Sequence, residues 1–474
     1  MKTLPAATLA SLLLATTAMA QTQAPAPAAA PQPPVAAQQP SSLGERLGDA
    51  GRAVTGSPAS GADRDMLRVL GALSDLSPKP IEDLTPEEAR RQPSAADAVQ
   101  TLLRQNNQPP APSLGVAARD ITIPGPAGPL TARVYTPDGP VQGSSGRPRP
   151  VIVYYHGGGF VIADLNTYDA SPRALSHLTG AIAVSVHYRQ APEDRFPAAH
   201  DDAIAAYRWV AGNAVSLGGD AARLAVVGES AGGNLAANVA IAARDTGLRA
   251  PVAQILIYPV AGVDMNTESY RENASAKPLN KAMLAWFYSH FLRSDADKQD
   301  PRVDLVGRAN LANLPPATVI TAGIDPLMSE GQALAEKLQM AGVRVASRNY
   351  PGVTHEFFGM GSVVRDAADA QAYAAARLGM AFGTASRDLP LEGAARLLGI
   401  AARIEGHMEV VGSDGGHVGI VDLINGSWIK LTKNDPAAGG EHHLLPLEAV
   451  ASVDDRQVKL TAPAEQARRE WRRD

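Results

Sequence analysis

"VVGESAGGN", residues 226–234, ends an apolar run and begins an alanine-rich one. How that junction is read decides the fold. An apolar strand over 224–228, a glycine-bounded turn and a helical stretch over 231–244 give the order strand, tight turn, helix. Gly228 and Gly232 let the chain reverse sharply without side-chain clashes. Such a turn leaves the Ser230 hydroxyl exposed at the carboxyl end of a strand and aims the backbone N–H of Ala231 at the same point. The helix N-terminus beneath favours developing negative charge. A structural turn can use the same five residues, so a chemical role for Ser230 needs partners elsewhere in the chain.

Outward from that junction, strands and helices alternate. Strands are predicted at 119–123, 130–136, 151–155, 182–188, 224–228, 252–258, 317–322 and 343–349, and helices near 170–179, 198–214, 231–244, 281–292, 329–341 and 363–382. Near-continuous apolar strands such as "VIVYY" (151–155) suit a mostly parallel sheet buried on both faces by helices, an α/β class. Before it, Met66, Leu67, Leu70 and Leu73 share one helical face, and "LTPEEAR" (84–90) has Thr85 as N-cap with Pro86 at the first helical position. After it, residues 407–461 alternate with turn signals at Asp414-Gly415 and Asn425-Gly426, the pattern of a small β-barrel. A charged helix, "AEQARREWRRD", is expected at the end.

The expected layout is a signal peptide (1–20), a Pro/Ala-rich linker (21–61), an α/β domain (62–383) with N-terminal cap helices to about 115, a linker (384–404), a β-barrel (405–462) and a terminal helix (463–474). Lys2, an apolar run to Ala15 and the small-x-small site Ala18-Met19-Ala20 predict cleavage after Ala20 and a periplasmic or secreted protein, with no membrane span once the peptide is removed. An uncleaved anchor is the competing reading, although the run is short for a span. There is no cysteine, which excludes disulfides, c-type haem and thiolate metal sites. A net charge of −5 gives no electrostatic case for nucleic acid.

A second glycine stretch supplies what Ser230 lacks. In "YYHGGGF" (154–160) a buried strand ends in His156 and three glycines, which let the backbone curl so that N–H groups converge on one oxygen. Gly157, Gly158, Gly159 and Ala231 are the expected oxyanion donors, with His156 orienting the loop. A phosphate cradle fits less well, since neither the dinucleotide spacing nor a Lys-Ser/Thr ending is present. Besides His290, five histidines follow Ser230, and only His355 lies in the α/β portion. Asp325 directly follows the strand "PATVITAG" (316–323), whereas Asp300 and Asp304 have no such anchoring. Ser230, Asp325, His355 is the chain order of an α/β-hydrolase triad.

With those residues in place, the sequence resembles the hormone-sensitive-lipase branch of the α/β-hydrolases, the bacterial family IV esterases. The motifs are "YYHGGGFVIADLNTYD" (154–169), "HYRQAPEDRFPAAHDDA" (187–203), "VVGESAGGNLAA" (226–237), "AGIDPL" (322–327) and "YPGVTHEFF" (350–358), within about 62–383. The resemblance implies an α/β-hydrolase fold with a mostly parallel eight-stranded sheet and an N-terminal helical cap. It also implies a small-molecule ester substrate with a short or medium acyl chain, and no cofactor. Glu229, Ala163, His187 and Ser329 with Glu330 depart from the common pattern without touching the triad. Glu229 either hydrogen-bonds near the triad or is structural.

The C-terminal segment resembles a small bacterial domain of uncharacterised function with a PRC-barrel-like strand pattern, through "EVVGSDGGHVGIVD" and "IKLTKND…HHLLPLEAV". Glu441, His442 and His443, with His407 and His417, lack metal-ligand spacing, and no metal is expected. The rival reading is a binding protein on a hydrolase scaffold, with the barrel contacting a protein or the cell envelope. A third keeps the enzyme and makes its substrate an amide or an acetylated polysaccharide. Homodimer formation is left open.

Overall fold

The computed structural model describes residues 61–108, 114–139, 147–384 and 400–473, except 402, 427 and 455. The expected signal peptide, nearly all of the first linker and most of the second lie outside the described residues. Among the described residues no helix is long and apolar enough to cross a membrane.

Eight strands form the body of the sheet: β1 (Val116–Gly125), β2 (Gly128–Pro137), β3 (Arg149–Tyr155), β4 (Ile182–His187), β5 (Gly219–Glu229), β6 (Ala253–Ile257), β7 (Ala317–Ile324) and β8 (Val345–Thr354). They lie in the order β1-β2-β4-β3-β5-β6-β7-β8. The β1–β2 and β2–β4 pairings are antiparallel and the rest parallel. This is the α/β-hydrolase fold.

The strands are apolar on both sides because each side faces its own core. In β3, Ile152 and Tyr154 join one cluster while Val151, Val153 and Tyr155 join the other. The alternation follows the two-residue period of a strand. One face is covered by α4 (Ala170–Thr179) and α9 (Arg365–Phe382), while α1 (Arg64–Asp75) and α3 (Ala95–Gln105), joined in the chain by short α2 (Pro86–Ala89), pack on each other. The other face is covered by α5 (Ala198–Asn213), α6 (Ala231–Thr246) and α8 (Met328–Met340), and α7 (Lys281–Phe291) packs against the same core. The Thr85 cap forms a full capping box with Glu88, as does Ser94 with Asp97 before α3. A cap of this kind satisfies N–H groups that the helix itself leaves free.

β8 runs past its expected end at 349, because Pro351 does not stop it. The β7–β8 ladder shifts register between Ala322 and Ile324, and Gly323 makes room there. A Cβ on Gly323 would lie 2.5 Å from the Pro351 Cα. The extension carries the chain directly to His355.

The C-terminal region is a small β domain built from β9 (Glu409–Val411), β10 (His417–Asn425), β11 (Trp428–Leu431), β12 (His443–Pro446), β13 (Val450–Val453), β14 (Gln457–Leu460) and β15 (Arg472–Arg473). Its ladder runs β13-β14-β9-β10-β11-β12-β15. The sequence did not disclose that it continues the main sheet. β10 pairs in parallel with β8 through Ile424↔Arg348 and Asn425↔Asn349. The Gly426 N–H donates to the Asn349 carbonyl at 3.0 Å, and Asn349 Nδ2 donates to Asn425 Oδ1 at 3.1 Å. Val418, Val421 and Ile424 share a core with Tyr350 and Tyr373. An edge strand presents unpaired backbone groups, and here the domain covers them.

The expected terminal helix is shorter than its charge pattern implies. Now α10 (Ala464–Arg469), it gives way to β15, paired with β12. Trp471 accounts for the change: its ring stacks on His443 at 4.1 Å, and Arg472 lies over Trp428 at 4.5 Å. Aromatic burial outweighs helix propensity at the chain end.

Candidate active site

Ser230 stands between β5 and α6 with φ 56 and ψ −119, in a region that L residues rarely occupy. Two glycines permit that turn. A Cβ on Gly228 would meet the Gly232 carbonyl oxygen at 1.9 Å, and one on Gly232 would meet the Tyr155 oxygen at 2.0 Å. Ser230 is pinned by its own backbone as well: its N–H donates to Ile257 O at 2.9 Å, and its carbonyl accepts from Val260 N at 3.1 Å.

β7 and β8 deliver the other two residues to the same end of the sheet. His355 Nε2 lies 3.0 Å from Ser230 Oγ, and His355 Nδ1 lies 2.7 Å from Asp325 Oδ2. A carboxylate only accepts, so Nδ1 carries the proton and Nε2 is left to accept from the serine hydroxyl. Asp325 is fully buried, and its other oxygen takes the Leu327 N–H at 2.8 Å. Burial alone would push the His355 imidazole down, but the Asp325 carboxylate beside Nδ1 outweighs it and raises the pKa above the usual 6.5. His290 lies in α7, away from this arrangement, and its ring packs against Trp286.

The glycine loop after β3 closes the front of the site. Gly158 and Gly159 have φ +100 and +59. Among the described residues, the N–H groups of Gly157, Gly158 and Gly159 donate to no protein acceptor. Ala231 is the first residue of α6, so helix geometry leaves its N–H free as well. Each glycine is also packed too closely for a side chain. A Cβ would come within 2.3 Å of the Tyr168 hydroxyl at Gly157, 2.2 Å of Ile162 O at Gly158, and 2.3 Å of the Phe287 ring at Gly159. Phe287 and Tyr168 escaped the sequence reading because nothing in their local pattern separates them from core aromatics.

His156 lies behind this loop. Its Nδ1–H donates to Gly157 O at 2.8 Å, its own carbonyl accepts from Tyr188 at 2.8 Å, and its ring stacks on Tyr188 at 4.4 Å. Burial drives its pKa down to about 4, so it is a neutral spacer. Glu229 is fully buried behind the serine, accepting from the hydroxyls of Tyr154 and Tyr258, and the Tyr258 ring packs against His355 at 4.5 Å. Glu330 accepts the Ala261 N–H at 2.7 Å, and burial raises it to about 8.

Ser230 and His355 open into a cavity of about 300 Å³. Its roof is Leu70 and Leu73 of α1 together with Leu279, Met283 and Phe287 in and before α7. Among the described residues no group of three or more His, Asp or Glu could hold a metal ion. The C-terminal histidines are engaged otherwise: His417 with Glu409 and Asp435, and His442 and His443 with the carbonyls of Leu431 and Ala438.

Known proteins are similar to the chain over two separate stretches. Residues 152–359 match the family described as alpha/beta hydrolase fold, and residues 404–468 match an uncharacterised protein family conserved in bacteria. The chain is 43% identical over 278 residues to Esterase LipI of Mycobacterium tuberculosis, covering 58% of this chain and 85% of that protein. It is 37% identical over 295 residues to the ethyl acetate hydrolase of Pseudomonas putida, covering 61% and 88%. Among solved structures, an esterase of Pyrobaculum calidifontis superposes with TM-score 0.57 at 39% identity, covering 64% of this chain and 95% of the other.

Proposed function

We propose, from the premise that the chain belongs to the α/β-hydrolase family of esterases, that it is a serine carboxylesterase working through Ser230, His355 and Asp325. The hydrogen-bonded relay from Asp325 through His355 to the Ser230 hydroxyl carries this reading. Ser230 Oγ attacks the ester carbonyl carbon while His355 Nε2 takes its proton. Asp325 holds the imidazole tautomer and stabilises the imidazolium. The N–H groups of Gly157–Gly159 and Ala231 receive the oxyanion, whose charge exists only in the transition state and intermediate. The carbon–oxygen bond to the alcohol then breaks, the alcohol leaving with the proton from His355. Water, activated by the same imidazole, frees the acid from Ser230. The apolar roof favours short- to medium-chain acyl groups.

Hydrolysis of p-nitrophenyl acetate, butyrate and longer esters, beside Ser230→Ala, tests this. Turnover that vanishes in the variant, together with fluorophosphonate labelling of the native protein alone, is expected. Equal background rates in both folded proteins would sink the proposal.

The N-terminal pattern supports export to the periplasm or beyond, with the mature chain beginning at Gln21. Mass spectrometry of the protein recovered from its host, showing an intact Met1 terminus, would overturn that.

A further inference from the structure

Three acidic side chains surround the triad; two accept short hydrogen bonds from the protein, although Glu330 keeps one oxygen without a partner. Glu229 has two tyrosine hydroxyls, and Glu330 takes backbone N–H groups of Ala261 and Gly262. The third, Glu356, is different. It follows His355 directly, so its Cα lies about 3.8 Å from that of His355. Among the described residues its one side-chain hydrogen bond is a long one, from the Tyr168 hydroxyl at 3.4 Å. Among the described residues no lysine or arginine forms an ion pair with it. Burial raises its carboxyl above the ordinary range.

The backbone at Glu356 is costly too. With φ 68 and ψ 4 it sits in the left-handed region, where a residue with a Cβ is strained and glycine is not. A carboxyl held by one long hydrogen bond on a left-handed backbone has no structural benefit in sight, and strained backbone of this kind clusters at functional sites. Its surroundings indicate which function. Glu356 lines the 300 Å³ cavity beside Ser230 and also a second chamber of about 60 Å³, shared with Glu229, Tyr168 and Ser171. It is the acid common to both. Its carboxyl therefore adjoins the space in which a substrate held at Ser230 would lie.

We propose that Glu356 is a specificity residue that selects esters carrying a hydrogen-bond donor, a hydroxyl group, close to the scissile bond, with the 60 Å³ chamber receiving the donor-bearing branch. This rests on the serine-esterase reading above. An alkyl group in the same place would leave the cavity-facing side of the carboxyl without a donor, which is what allows a polar site to reject a substrate lacking one.

The experiment compares kcat/KM for isosteric pairs. In the acyl half the pair is p-nitrophenyl 3-hydroxybutyrate against p-nitrophenyl 3-methylbutyrate; in the alcohol half, 2-hydroxyethyl butyrate against propyl butyrate. Native protein, Glu356→Gln and Glu356→Gly are measured. The glycine variant relieves the backbone and keeps the fold. The native protein is expected to prefer the hydroxyl member of at least one pair by about tenfold or more. Glu356→Gly should bring that ratio near one, with Glu356→Gln between, and the responding pair tells which half enters the chamber. A native ratio near one for both pairs, or a preference that survives in Glu356→Gly, overturns the proposal. Loss of all turnover and of fluorophosphonate labelling in native protein would instead bring down the esterase reading, and this inference with it.

Discussion

His355 in the hydrolase body and His417 in the C-terminal domain each have a carboxylate on Nδ1, at 2.7 and 2.9 Å. They differ at Nε2. In His355 it meets a serine hydroxyl, and in His417 it meets a second carboxylate, Asp435, at 2.9 Å. Carboxylates of Glu409 and Asp435 occupy both ring nitrogens of His417 and raise its pKa, which favours the doubly protonated ring and ties up the nitrogen that a base would use. His355 is equally oriented but keeps one nitrogen as an acceptor. The same contrast runs through the two regions. In the body, strained backbone, unpaired N–H groups and acids converge on one cavity, whereas in the C-terminal domain the carboxylates of Glu409 and Asp435 are taken up by His417.

The sharpest way to break this comparison is to remove each histidine in turn. His355→Ala should cut kcat at least about 10³-fold, whereas His417→Ala should leave ester turnover within about twofold. Comparable losses would mean that the domain takes part in the chemistry. Next comes the loop: Gly159→Ala drives a Cβ into Phe287 at a position with φ +59. A fall in kcat of about 10²-fold is expected, with circular dichroism unchanged.

A gentler probe is pH. The base must be neutral, and the His355 pKa lies above 6.5, so kcat/KM should rise with pH and reach half its maximum above 6.5. A midpoint below that value would mean that Asp325 does not support the imidazole. The smallest effect concerns stability. Glu330 is raised to about 8 from 4.5, so the folded state binds the extra proton and stability is lost as pH climbs from 4.5 through about 8. The melting temperature should fall by several degrees over that interval, and Glu330→Gln should flatten the fall.

Much of this was legible in the sequence because it depends on local pattern. The period-two apolar strands, the glycines around Ser230 and the strand-end positions of Asp325 and His355 are short-range signals. What escaped depends on distant partners. The β8–β10 pairing joins Asn349 to Asn425, and no periodicity in either strand names the other. Likewise, Trp471 ends α10 by reaching His443, and Glu356 gains its meaning only from two cavities.

The short β8–β10 seam also carries a consequence for how the chain is made. In a polypeptide emerging N-terminus first, residues 345–354 can complete β8 before residue 424 has been synthesised. A freshly folded body therefore passes through an interval with a bare β8 edge, open to a neighbouring chain's strand at high local concentration. Residues 424 and 425 of β10 are the ones that end this vulnerability, so yield should depend on how promptly the C-terminal domain docks.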